Sequence, residues 1–212
     1  LGDAKNMKRN ILHALCLFVA AYGILLLAWI QIKPVYGYLA AQIGVRTAAL
    51  ATGVQVKEIA RRSDAVHAVL TTSVWTRRGM VDAEVPLIID LAKFTFNVPI
   101  TFAILAGLYP FLRWHPRMAA EAGLILAGIH ILYIFFFSIR FSQSALVEAG
   151  VIAMPPSVIR TTVQFAWLFI DNMVIRFEPF LVAVYTYFRQ TLPTRTGPPR
   201  IGRPSKSSRL HR

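Results

Sequence analysis

Cys16 is the only cysteine among 212 residues. An internal disulfide framework and a cysteine-based metal site are therefore excluded within one chain. Acidic residues are scarce as well: ten, against 23 lysines and arginines, for a formal charge of +13. Charged residues of both signs make up 16% of the chain, where a soluble domain averages about 25%. There is no Gly-rich phosphate loop, no HExxH, no G-x-S-x-G and no CxxC. A membrane-embedded enzyme would need a clustered nucleophile or metal set, and none is evident. No cofactor is expected.

Apolar residues, by contrast, make up 56% of the chain. They gather into four runs, and basic residues cluster beside them, which fits membrane topology better than nucleic-acid binding. A nucleic-acid role also lacks the interleaved aromatics of a base-stacking surface. The expected fold is a membrane all-α protein of four transmembrane helices, with a small extracytoplasmic α/β insertion between the first and second. The spans are expected at 11–32, 94–112, 118–139 and 161–189. Residues 1–10 precede the first span, 113–117 form a basic turn, 140–160 a polar connector, and 190–212 a basic tail. Met7 looks like a natural start, so residues 1–6 read either as upstream sequence or as following an alternative start codon at Leu1. The first run is longer than the apolar core of a signal peptide and lacks a clear cleavage site. Trp29 suits the interface near its end, and Lys33-Pro34 is expected to stop it.

Residues 33–93 change character twice. Val35 to Thr52 is alanine-rich and reads as a helix on or near the outer membrane surface, ended by Gly53. After it, Val54 and Val56 alternate with polar residues. Asp64 to Thr72 is short, β-branched and alternating. Val81, Ala83, Val85 and Leu87 alternate with Asp82, Glu84 and Pro86. Period-2 alternation predicts strands with one buried face, hence a small meander or hairpin. Arg77-Arg78-Gly79 supplies the turn between the last two strands, and Pro86 places its strand at an edge. In the third span, Ala119, Gly123 and Ala127 form a small-xxx-small ladder for close helix packing. Ile134 to Phe137 is expected to face lipid. The Pro-, Gly-, Ser- and Arg-rich tail is expected to be disordered and to lie against anionic lipid headgroups.

Three lysines and arginines precede the first span, two lie in the 113–117 turn and seven run from Arg189 onward. The opposite side has eight in the long 33–93 segment plus Arg140 and Arg160. Short basic loops weigh more than long ones. Both termini are therefore expected in the cytoplasm of a bacterial inner membrane, with the insertion outside.

The last run carries Asp171, Arg176 and Glu178. A charge at membrane depth costs about 2.5–3.5 kcal/mol on insertion scales, so it is rarely left facing lipid. Asp171 and Glu178 are seven apart and share a helical face. Arg176 points elsewhere and reaches Glu178 only around a kink, for which Pro179 is placed. His130, with Tyr133 one turn away, is either a proton relay or a neutral histidine hydrogen-bonded across helices. Asp171, Arg176, Glu178 and His130 are the candidate polar or partner-docking residues, serving an ion path, a docking site or a structural ion pair. His13 and Cys16 share a face, but two ligands make a poor metal site. Glu121 reads as a favourable charge at a helix N-terminus. Arg61-Arg62 and Arg77-Arg78 read as solvated turn or headgroup contacts.

Three stretches together resemble the small membrane proteins associated with bacterial exosortases, notably the exosortase H-associated type. They are the first span ending at Lys33-Pro34, the segment VDAEVPLIIDLAKFTFNVPITFAILAGLYP, and the final EPFLVAVYTYFRQ. The resemblance implies an accessory role beside a transpeptidase-like sorting enzyme and carries no catalytic residue onto this chain. Cys16 lies too deep in the first span to serve as the sorting enzyme's cysteine. The expected function is a non-enzymatic accessory or assembly subunit of a membrane protein-sorting system. The alternative is a small transporter or channel-like protein using the intramembrane charges.

Overall fold

The computed structural model describes residues 2–76, 79–112 and 115–191. It is mostly helical, with one small antiparallel sheet. The elements in order are α1 (Gly2–Thr52), β1 (Gln55–Arg62), β2 (Ala65–Thr76), β3 (Gly79–Asp90), α2 (Leu91–Thr95), α3 (Asn97–Gly107), α4 (Pro116–Glu148), α5 (Ser157–Phe169), a π-helical turn (Ile170–Val174) and α6 (Ile175–Thr191). Two helices, α1 and α4, are long and apolar enough to cross a membrane. The apolar stretch Leu91–Gly107 is shorter.

The largest departure from the sequence reading is at Pro34. No break occurs there, and α1 runs on for 51 residues, about 77 Å at 1.5 Å per residue. Proline removes one backbone bond and crowds the carbonyl four residues back. Its neighbours Ile32, Val35, Tyr36 and Gly37 are weak helix formers, so packing of the following turns holds the chain. Gly37 lies so close to α2 that an added Cβ would stand 2.6 Å from the Leu91 side chain. Val35 to Thr52 is thus the second half of one long helix, not a separate surface helix. It ends as expected, with Gly53 in the left-handed region at φ 72°.

The sheet is a meander of order β1-β2-β3. β3 is an edge strand and carries Pro86. Alternation does what period 2 requires: Val85, Leu87 and Ile89 of β3, with Val66, Ala68 and Leu70 of β2, are buried on one face. A bulge between Val56 and Glu58 leaves Lys57 as the extra residue of β1. Its ammonium pairs with Glu84 on the far strand. That hydrogen bond, with Glu84's charge, raises the Lys57 pKa above the ordinary lysine value. Arg77 and Arg78 lie outside the described residues, as does the tail from residue 192. Gly79, at φ 113°, fits the predicted turn.

Two cores result. The sheet-side core joins the buried strand face to Ala41, Val45 and Ala49 of α1, and to Phe94, Tyr133, Ile134, Leu146, Ile170 and Ile175. The second core is purely helical and centres on Val98, Leu105, Ala122, Leu126 and Val182, with Trp29 beside it.

Helix limits also differ from expectation. The second predicted span is two pieces, α2 and α3, offset at Phe96, and helix ends at Gly107 instead of Leu112. Asp90 starts it: its side chain accepts from the Ala92 N–H at 2.8 Å and caps α2. α4 extends past residue 139 to Glu148, because Ser142 and Leu146 continue its buried stripe against the sheet. The connector shrinks to residues 149–156. Ile134 faces the core, not lipid. The Ala119–Gly123–Ala127 ladder lies beside the buried stripe of α4, which is Met118, Ala122, Leu126 and His130. Close backbone approach occurs elsewhere. A Cβ at Gly44 of α1 would stand 2.7 Å from Ile134, and one at Gly107 of α3 would stand 3.0 Å from Phe18.

Candidate functional site

The last helical run is continuous from Ser157 to Thr191 but changes winding at Asp171, inside the π-helical turn Ile170–Val174. Such turns insert a residue into an α-helix and are frequent at functional sites. Downstream, Pro179 lies inside α6. A proline lacks the N–H that would bond the carbonyl four residues back, here that of Ile175. Asn97 of α3 fills the vacancy: its Nδ2 donates to the Ile175 carbonyl. The same amide nitrogen lies 3.3 Å from Glu178 Oε2.

Glu178 is fully buried, and so is His130 of α4. His130 Nε2 hydrogen-bonds Glu178 Oε2 at 3.2 Å and lies 3.0 Å from Oε1. Its other ring nitrogen, Nδ1, is 2.6 Å from the Tyr36 hydroxyl of α1. A neutral imidazole protonated on Nε2 satisfies both contacts at once, donating to Glu178 and accepting from Tyr36. Phe94 lies against the imidazole, ring centroids 5.4 Å apart, and Trp29 packs edge-on to Tyr36 at 5.2 Å. Four buried side-chain atoms among the described residues remain without a hydrogen bond, and two of them, Glu178 Oε1 and Trp29 Nε1, lie here; the others are Ser138 Oγ and Trp167 Nε1. One polar chain, Tyr36–His130–Glu178–Asn97, therefore ties together α1, α4, α6 and α3. Leaving such a group unpaired costs about 1–3 kcal/mol, so the chain fixes how these helices register.

Asp171 belongs to a second cluster. Its Oδ1 is 3.0 Å from Lys93 Nζ of α2. Lys93 also lies 6.0 Å from the Tyr133 ring centroid and 5.9 Å from that of Trp167. Arg140 stacks over the other partner of this group, its Cζ 4.0 Å from the Trp167 ring centroid. Asp171 and Glu178 are thus both turned inward, toward successive turns of α4, but they have different partners.

Arg176 is not part of either cluster. It is exposed on α6, and no described residue pairs with it; Glu178 is engaged by His130 instead. His13 and Cys16 are both exposed, and among the described residues no group of three or more potential ligands could hold a metal ion. Glu121 reaches across to α6, accepting from the Tyr185 hydroxyl at 2.8 Å and lying 3.5 Å from Arg189 Nε.

Sequence reasoning missed Tyr36, Lys93 and Asn97. A signal existed for Asn97: a helical proline implies an orphan carbonyl, and an amide inside an apolar run is a natural donor for it. Tyr36 was assigned to a surface helix, and nothing local distinguished Lys93 from a boundary lysine.

A scan against protein-family models, a search of curated proteins and a search of solved structures each returned no match. Fold and site define a mostly helical protein with two helices able to span a membrane and a polar chain buried between four helices.

Proposed function

We propose that this chain is a four-span inner-membrane protein, both termini cytoplasmic and the sheet outside, acting as a non-enzymatic partner subunit of another membrane protein. Arg176 carries the reading. Its neighbours on the outer face of the last helical run, Phe169, Met173, Phe177 and Phe180, are all exposed. An arginine alone among them in hydrocarbon is unfavourable by about 2.5–3.5 kcal/mol. A partner helix bearing an acidic residue relieves that cost and covers the aromatics. Asp171 and Glu178, already paired inside the molecule, serve the internal packing of α6 instead of docking. The resemblance to exosortase-associated proteins makes a polytopic sorting enzyme the first partner to test.

The test places a photo-crosslinking residue at 173, 177 or 180 in the full chain. A docking face gives one discrete membrane-protein adduct that Arg176→Glu abolishes and an acid-to-lysine change in the partner restores. Purification of the chain alone, with no adduct at any position, overturns the proposal. The rival reading, a small proton or ion carrier, draws on the buried His130–Glu178 pair. Flux in proteoliposomes that Glu178→Gln abolishes would put that reading in its place.

A further inference from the structure

Between the end of α4 and the start of α5 lies a cavity of about 300 Å³. Two arginines line it, Arg140 and Arg160, with Gln143, Ser144 and Gln164 supplying neutral polar groups and Glu148 the one acid. Among the described residues neither arginine forms an ion pair; Arg160 Nη1 donates to the Met154 sulfur at 2.7 Å. Arg140 spends the face of its guanidinium on Trp167, which leaves the in-plane N–H groups free to donate. That edge matches the oxygens of a phosphate. Arg160 sits in the first turn of α5, whose N-cap, Pro156, provides no side-chain hydrogen bond. The positive end of α5 therefore adds to the same potential. A second cavity, of about 360 Å³, adjoins the first: Arg140, Ser144 and Glu148 line both, and Phe137 and Phe141 line only the second.

We infer that this paired cavity binds a phosphoethanolamine group, its phosphate held by Arg140 and Arg160 and its ammonium by Glu148. The acid is what separates this ligand from a simple anion, because Glu148 repels a second negative charge and attracts a cation one short linker away. Phe137 and Phe141 provide an apolar wall along which an acyl chain runs, so the group arrives on a lipid. The position agrees with this source. Ser142 and Leu146 of the same helix pack against the sheet, so the cavity lies at the sheet end of the bundle. In the topology proposed above, on which the lipid form of the inference rests, that end is the outer interface.

The experiment is native mass spectrometry of the full chain in detergent, titrated with phosphatidylethanolamine or phosphatidylglycerol. Phosphatidylethanolamine is expected to bind in preference. Arg140→Gln with Arg160→Gln should weaken it at least about tenfold, the scale of losing charge-assisted hydrogen bonds. Glu148→Gln should erase the preference over phosphatidylglycerol. Arg160→Gln alone keeps the Arg140–Trp167 stack, and its weaker binding, with unchanged circular dichroism, separates ligand loss from unfolding. Lys57→Gln, in the sheet, is the control and should bind as the parent does. Soluble glycerophosphoethanolamine that binds while the lipid does not would keep the site but contradict the membrane placement. Equal affinity of parent and double-arginine variant for phosphatidylethanolamine overturns the inference.

Discussion

The two halves of α1 are one helix in two environments. The most apolar 18-residue window of this helix has a mean hydropathy of 2.4 and not one buried residue. Ile11, Leu12, Leu15, Val19, Ile24 and Leu27 all stand exposed. After Pro34 the pattern inverts. The buried positions become small, namely Ala40, Ala41, Val45, Ala48 and Ala49, with Gly37 and Gly44 at the closest approaches. Hydrophobicity alone would put the first half in the core and the second at the surface. Packing does the reverse. Large apolar side chains suit a face that few neighbours approach, and small ones are needed where another helix must come near. In the topology proposed above, the difference marks where bilayer gives way to protein as the medium around most of α1.

The sharpest way to break this contrast is to give the second half a large residue. In Gly44→Leu the new Cβ meets Ile134 Cβ at 2.8 Å and the Ile131 carbonyl at 3.1 Å. One obstacle is branched and the other is backbone, so neither can swing aside. Overpacking of this kind is expected to destabilise by about 3 kcal/mol, the upper part of its usual range. Denaturant titration of the full chain in detergent, followed by tryptophan fluorescence, measures it. A shift within error of the parent would mean that α1 and α4 do not approach as described.

What the sequence revealed follows the same division. The strands were legible because Val81, Ala83, Val85 and Leu87 alternate with polar residues and Pro86, although only Val85 and Leu87 of the four are buried and Val81 is exposed; the end of α1 was legible because Gly53 adopts a conformation few other residues tolerate. The passage of α1 through Pro34 was not, since it depends on contacts with α2 that lie far along the chain. Glu178 and His130 were legible as buried polar groups by their position in apolar runs. Their pairing was not, because nothing local fixes the relative rotation of two helices whose paired residues lie 48 apart in sequence. Arg176 was legible as facing away from Asp171 and Glu178 from helical geometry alone, and its exposure on α6 agrees.

Tyr36 stands at the border between the two halves, and its substitution asks how strongly the buried polar chain ties them to the bundle. Tyr36→Phe keeps the ring against Trp29 and removes only the hydroxyl at His130 Nδ1. The imidazole nitrogen is then a buried acceptor without a donor, a loss of about 1–2 kcal/mol. Tyr36→Phe with His130→Phe removes both polar partners together, and in a double-mutant cycle the two changes should fall short of additivity. Strict additivity would show that the hydroxyl and the imidazole do not interact.

The smallest effect belongs to the first half. Leu27 is among the most exposed residues of α1, so Leu27→Ala should change folding stability in detergent by no more than about 0.5 kcal/mol. Its effect should appear instead in membrane insertion, where a leucine contributes about 0.3–0.6 kcal/mol at a helix centre. A glycosylation-reporter insertion assay reads that quantity, and sensitising the span with a central serine brings a change of this size into range. Leu27→Ala that lowers stability in detergent by 2 kcal/mol, well beyond the roughly 0.5 kcal/mol of an exposed site, would mean that this face of α1 packs against protein. Two halves with equal sensitivity to truncation would erase the distinction between lipid and protein as the medium around α1. Insensitivity of folding with loss of insertion would place the boundary between them within the turns that separate Leu27 from Gly37.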